Sequence, residues 1–215
     1  MGALVADRPK ALIEVSGRPL LDHALDVVRG AAGGPIVVNA HYRADALEHH
    51  LAAATDVTVL REAPGILGSG GGVRNALSVL GPGSLATLNA DAVWRGPNPL
   101  AALCDAWDPG QMAGLLLLVP RDRAVGRLGG GDFALGTDGR VTPDKQAGLV
   151  YTGAQILGAG IVGRWPEGAF SMWEIWRALL DEARLFGCLY PGFWADVGHP
   201  AGIAAAEAML ARADV

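Results

Sequence analysis

Two aspartates, a lysine and a run of glycines are the residues of this 215-residue chain whose types and surroundings can do chemistry. Asp91 follows the apolar run Ser84-Leu85-Ala86-Thr87-Leu88-Asn89-Ala90, behind a Gly81-Pro82-Gly83 breaker, which is the pattern of a buried strand ending in a loop. In open α/β sheets ligands bind beyond the carboxyl ends of the strands. A carboxylate delivered there is placed to hold a divalent cation against a phosphate, although an aspartate after a strand also serves as a turn cap. Asp196, in Phe193-Trp194-Ala195-Asp196-Val197-Gly198-His199-Pro200, carries the same alternatives: a cap, or a second carboxylate returning to the site of the first. Magnesium bound to a nucleotide takes one or two protein carboxylates, so Asp91 and Asp196 together would supply such a pair. Gly68-Ser69-Gly70-Gly71-Gly72, ahead of a helical pattern over 73–80, lets a ligand approach backbone N–H groups at a helix N-terminus, or is a loop in a chain rich in glycine.

The elements that must carry these groups alternate. Apolar residues at 20, 21, 24, 25 and 28 predict a helix, followed by a strand at 36–39, a helix at 45–54 and a strand at 57–60. Residues 10–15 read as extended, and Gly17-Arg18-Pro19 as the turn before the first helix. Beyond Asp91, 97–107 predicts a helix, 114–119 an apolar strand, 154–157 another core strand, and 201–212 a final helix. Ser171 and Glu174 have capping-box spacing at the head of a helix over 171–184, on which Trp173, Trp176 and Leu180 are read as packing residues. Short alternating pieces and six glycines between 121 and 144 predict a hairpin insertion around Thr137-Asp138-Gly139. The whole reads as α/β: a doubly wound, mostly parallel sheet with right-handed crossovers.

With 51% hydrophobic and 18% charged residues the chain buries a large core in a single soluble domain. A net charge of -5 without a basic cluster argues against nucleic acid as partner. The longest apolar run, 112–119, is far short of the roughly 20 residues that span a bilayer, so a cytoplasmic location without membrane contact is expected. Cys104 and Cys188 read as free buried thiols, His49 and His50 as a solvated helix face, and His41 and His199 as loop hydrogen-bonding groups.

The segment Arg8-Pro9-Lys10-Ala11-Leu12-Ile13-Glu14-Val15-Ser16-Gly17-Arg18-Pro19-Leu20-Leu21 resembles the stretch after the glycine loop in sugar-1-phosphate nucleotidylyltransferases. Leu67-Gly68-Ser69-Gly70-Gly71 resembles that family's Leu-Gly-Thr-Ala-Gly nucleotide loop. Leu88-Asn89-Ala90-Asp91 and Trp194-Ala195-Asp196-Val197-Gly198 are similar to its two metal-aspartate segments. Asn39-Ala40-His41-Tyr42, Gly70-Gly71-Gly72 and Gly131-Asp132-Phe133 look most like the branch that uridylylates N-acetylmuramate 1-phosphate in peptidoglycan recycling.

The resemblance implies a Rossmann-like sheet of the nucleotide-diphospho-sugar transferase type, residues 1–215 forming one nucleotidyltransferase domain with 121–153 as a sugar-binding insertion. It implies transfer of a nucleoside monophosphate, from UTP first, to a sugar 1-phosphate with release of pyrophosphate. Lys10 becomes the catalytic cation at the α-phosphate; Gly70, Gly71 and Asn89 would bind nucleotide. Asp132, Thr152 and Gly153 would bind the sugar, and Asp91 and Asp196 would hold Mg2+. The protein is expected to act as a monomer or weak homodimer.

The family opens with a strand and a Gly-x-Gly-x-Arg-Met loop around the triphosphate, and Met1-Gly2 stand where that loop ends. The domain is therefore expected to be truncated at its N-terminus, with residues 1–9 displaced, the neighbours of the missing strand unpaired, and catalysis weakened. A catalytically impaired protein that binds nucleotide or sugar phosphate is the alternative. A dinucleotide-dependent oxidoreductase would need Gly-x-Gly-x-x-Gly after the first strand, and Gly68 to Gly72 has neither that spacing nor that place.

Overall fold

The computed structural model describes residues 8–31, 33–146 and 148–212. After a 3-10 turn at Lys10–Leu12 come β1 (Glu14–Val15), β2 (Arg18–Pro19), α1 (Leu20–Arg29), β3 (Ile36–Ala40), α2 (Ala44–His50), β4 (Val57–Arg61), α3 (Gly68–Leu80) and β5 (Ser84–Leu88). The middle holds β6 (Ala92–Arg95), α4 (Pro99–Ala106), β7 (Gly114–Pro120), β8 (Ala124–Val125), β9 (Phe133–Leu135), β10 (Val141–Pro143) and β11 (Leu149–Gly158). The chain closes with α5 (Ala159–Val162), α6 (Met172–Asp181), β12 (Leu185–Leu189), β13 (Phe193–Asp196) and α7 (Pro200–Leu210).

The α/β layering follows the sequence pattern, with helices packed against a sheet in the order β10-β9-β11-β7-β12 and β5 on β11. The described ladders are mixed. β7 and β12 run parallel, as do β3 and β4 and the β8–β13 pair, whereas β11 is antiparallel to both β5 and β7. Strand β7 is the centre of the core, its residues Leu115 to Val119 inaccessible to solvent or nearly so. Burying an all-apolar strand on both faces is what an unbroken Leu-Leu-Leu-Leu-Val run specifies. α1 buries Leu20, Leu21, Ala24 and Leu25, the expected stripe.

Some expectations need correction. Residues 10–12 form a 3-10 turn instead of a strand, because Leu12 and Ile13 donate back to the carbonyls of Pro9 and Lys10 at 2.9 and 3.1 Å. Residues 1–7 lie outside the described residues, but Pro9, expected to be displaced, is buried and its carbonyl is engaged. α3 begins at Gly68, so the glycines are the helix's first turns and not a loop before it. α6 buries Met172, Ile175 and Leu179; Trp176 packs against the core as expected, and it and Trp173 also line a cavity. Cys104, expected to be buried, is exposed. The capping box at Ser171 and Glu174 is present, and the 121–144 segment contains the β9–β10 hairpin.

Two cavities flank β5 and its continuation. The first, of about 680 Å3, lies between β3 and β5, which have no strand partner on their facing edges among the described residues. Leu21, Leu25 and Val28 of α1 and Val73, Ala76 and Leu80 of α3 wall its apolar part. The second, of about 770 Å3, lies between the 121–153 segment, α6 and the end of β13.

Candidate active site

The site is assembled where β5 ends. The β5–β11 ladder stops at Leu88 opposite Ala154, and Asn89 N–H then donates to Gly153 O at 3.0 Å. Gly153 is fixed as glycine twice over: its φ is +83°, and a Cβ there would lie 2.7 Å from the Asn89 side chain. This irregularity, where the β11–β7 register shifts, frees the chain to turn through Ala90 and Asp91 into β6. β6 pairs antiparallel with β13, placing Ala92 opposite Asp196, and Val197 N–H donates to Asp91 O at 3.0 Å. Asp91 and Asp196, 105 positions apart in sequence by subtraction of their numbers, thus sit at adjoining strand ends and line the same cavity.

Lys10 reaches the pair from the 3-10 turn, its ammonium donating to Asp91 Oδ2 with both side chains about one-third exposed. Asp196 Oδ1 accepts from Gly198 N–H at 2.8 Å, so the turn-cap role is realised by one oxygen. Its carbonyl is gripped by glycines: a Cβ at Gly126 or Gly202 would fall 2.7 or 2.5 Å from Asp196 O. Among the described residues no three His, Cys, Asp or Glu side chains converge, so a cation here would draw on at most the two carboxylates of Asp91 and Asp196. Two hard oxygen donors are the set magnesium accepts when phosphate and water supply the rest.

Asp132 lines the second cavity, its Oδ1 accepting from Arg127 at 2.8 Å and its Oδ2 from Tyr151 N–H at 3.0 Å. Gly153 and Asn89 line it too. Thr152 does not: it is buried, its hydroxyl donating to Leu117 O at 2.8 Å inside the sheet, because alternation along β11 turns it away from Tyr151. Gly70 and Gly71 are held closely by the neighbouring chain. Both N–H groups donate to Phe170 O, at 3.1 and 3.2 Å, and added Cβ atoms would strike the Phe170 ring at 2.4 Å and Gly168 O at 2.1 Å. Their smallness serves the packing of α3 against the 168–171 segment. Gly68 and Ser69, immediately before them, border the first cavity with Asn39 and Glu62.

Sequence reasoning missed the rest of the second cavity. Phe133, Trp173, Trp176 and Tyr151 form an aromatic wall, with Tyr151 and Trp176 ring centroids 4.8 Å apart and Trp173 and Trp176 6.1 Å apart. Burial holds the Tyr151 phenol well above its usual range, against the opposing effect of its hydrogen bond with Thr87, so it stays neutral. Arg127, Pro143, Asp144, Lys145 and Trp194 complete the lining. An arginine inside the glycine-rich stretch Gly126-Arg127-Leu128-Gly129 was the available signal, since such a loop has no packing need for a guanidinium. The two cavities share Asn89, Asp91, Tyr151 and Trp176, so Asp91 stands where they meet.

A carboxylate pair at strand ends, a lysine beside it and two cavities joined at that point are an arrangement suited to bringing two phosphate-bearing ligands together, and the matches to known proteins make the chain a nucleotidyltransferase of the α/β class. Residues 1–213 match the MobA-like NTP transferase domain, and the chain belongs to that family. It is 38% identical to the N-acetylmuramate alpha-1-phosphate uridylyltransferase of Caulobacter vibrioides, over 99% of this chain and 93% of that protein. It is 26% identical to the protein of the same name from Neisseria meningitidis, over 97% and 92%. Among solved structures, HddC of Yersinia pseudotuberculosis complexed with GMP-PN superposes with a TM-score of 0.77 at 18% identity, covering 98% of this chain and 93% of that one. A UDP-glucose pyrophosphorylase complexed with UDP-glucose gives 0.74 at 14%, covering 96% and 93%. No described helix is long and apolar enough to cross a membrane.

Proposed function

We propose that the protein transfers a uridylyl group from UTP to N-acetylmuramate α-1-phosphate, releasing pyrophosphate. The observation that carries the reading is Asp91 at the junction of two cavities, with Asp196 beside it and Lys10 on it. The relatives named for this reaction, one of them 38% identical over nearly the whole chain, support the choice of base and sugar.

In this reading the nucleotide lies at the polar end of the first cavity, among Asn39, Glu62, Ser69 and Asn89, and the sugar phosphate lies in the second. A sugar phosphate oxygen attacks the α-phosphorus in line, the new P–O bond forms as the bond to pyrophosphate breaks, and both partners are anions. Such a transfer depends on alignment and charge neutralisation. Asp91 and Asp196 would hold Mg2+, which when bound supplies positive charge to the phosphates. Lys10, released from Asp91 by the incoming phosphate, donates to the oxygens on which charge accumulates. The aromatic wall of Trp173 and Trp176 packs the apolar face of the sugar and excludes water, the competing nucleophile.

The test is pyrophosphate release from UTP with Mg2+, with and without N-acetylmuramate 1-phosphate. Release that requires the sugar phosphate is expected. Equal release without it means hydrolysis and overturns the transferase reading; nucleotide binding with no release favours a binding protein.

A further inference from the structure

Among the described residues three buried side-chain nitrogens have no hydrogen-bond partner, and two of them, Arg127 Nε and Trp194 Nε1, belong to residues lining the second cavity. Both are donors with no capacity to accept. The acids that line the cavity are already engaged: Asp91 by Lys10, Asp132 by Arg127 and Tyr151 N–H, Asp144 by Gln146 N–H at 2.8 Å, and Asp196 by Gly198 N–H. These carboxylates keep spare acceptor sites, so what sets the cavity's preference is its two cationic side chains, Arg127 and Lys145. A sugar hydroxyl both donates and accepts, but a carboxylate only accepts, and it pairs with guanidinium more strongly than any neutral group.

The cations stand on one rim. Arg127 and Lys145 come from two loops in close contact, since a Cβ at Gly130 would fall 2.3 Å from Lys145 O. Arg127 is anchored through its Nη2 to Asp132, which is itself fixed by the Tyr151 backbone, so the guanidinium is held in place before any ligand arrives.

We propose that Arg127 is the residue by which this cavity selects a sugar 1-phosphate bearing a carboxylate on its ring substituent, with Lys145 supporting it from the same rim. The inference rests on the transferase reading and names the substrate preference of that site. N-acetylmuramate 1-phosphate carries such a group, a lactyl ether. N-acetylglucosamine 1-phosphate is its neutral counterpart.

The experiment compares kcat/KM for these two sugar phosphates, with UTP and Mg2+, in the parent protein, Arg127→Gln and Lys145→Gln. The parent is expected to favour the acidic sugar, and Arg127→Gln to lower the acidic-over-neutral ratio by about tenfold or more, the scale of a lost hydrogen bond to a charged group. Lys145→Gln, on an exposed side chain, lowers it in the same direction by less. A parent preference for the neutral sugar overturns the inference, as does a ratio unchanged by Arg127→Gln while both activities fall together, which would assign Arg127 to the phosphate. In either case the transferase reading stands, because it fails when pyrophosphate release is absent or ignores sugar phosphate, and neither result bears on that. Should Arg127→Gln melt well below the parent, the Lys145→Gln ratio decides.

Discussion

Gly71→Ala separates packing from ligand binding at the head of α3. The new methyl carbon would sit 2.1 Å from the carbonyl oxygen of Gly168 and 3.1 Å from Leu67 Cβ, so a backbone segment must move by about 1 Å to restore an ordinary contact. Overpacking against backbone costs about 3 kcal/mol at the upper end of the usual range, and alanine in place of glycine within a helix returns about 1 kcal/mol. The net loss is then about 2 kcal/mol. In a chain of this length about 2–4 °C of melting temperature accompanies each kcal/mol, so Tm should fall by about 4–8 °C. Gly160→Ala is the control, because Gly160 lies in α5 with nothing within 4 Å of the added atom, and it should leave Tm unchanged or slightly raised. Differential scanning calorimetry with and without UTP reads both variants. If Gly71→Ala kept the parent Tm and lost only the stabilisation conferred by UTP, the glycine would be serving the ligand and the packing assignment would be refuted.

Asp91→Asn and Asp196→Asn should each lower Mg2+-dependent pyrophosphate release by about a hundredfold or more with circular dichroism unchanged; full activity in both would remove the metal assignment. Lys10→Ala should lower kcat by a similar factor with little change in the KM for sugar phosphate, and a rise in KM alone would place Lys10 in binding. Ser171→Ala removes the acceptor for Trp173 N–H and should cost about 1 kcal/mol, seen as a drop of about 2–4 °C in Tm. At pH 8 a thiol reagent should modify exposed Cys104 quickly and Cys188 slowly, since burial pushes the Cys188 thiol up to about 11 and leaves little thiolate at that pH; equal rates would contradict the burial.

Asp91 was legible because it follows a mostly apolar strand segment behind a breaker, whereas Asp196 follows only Phe193-Trp194-Ala195 and stood out by resemblance. The turn that joins them was not legible, since β6 is the four residues Ala92-Val93-Trp94-Arg95 and follows β5 with no breaker. β11 was seen only as residues 154–157, because Thr152-Gly153 interrupts the alternation where the strand bulges. Trp173 and Trp176 have the spacing of core residues because a helix lining a cavity and one lining a core repeat alike; only the tertiary packing tells them apart. The glycines at 70 and 71 left two readings open. Glycine signals close approach without saying what approaches, and here it is Phe170 and Gly168.

Three of the six tryptophans, Trp173, Trp176 and Trp194, stand in the wall of the second cavity, and only Trp176 also borders the first. Indole emission responds to water and charge near the ring, so the protein carries its own optical gauge of occupancy. A ligand entering the first cavity perturbs a single emitter, whereas one entering the second changes the surroundings of all three. Stopped-flow fluorescence can therefore distinguish which substrate arrives first from the amplitude of each phase, with no label attached and no turnover required.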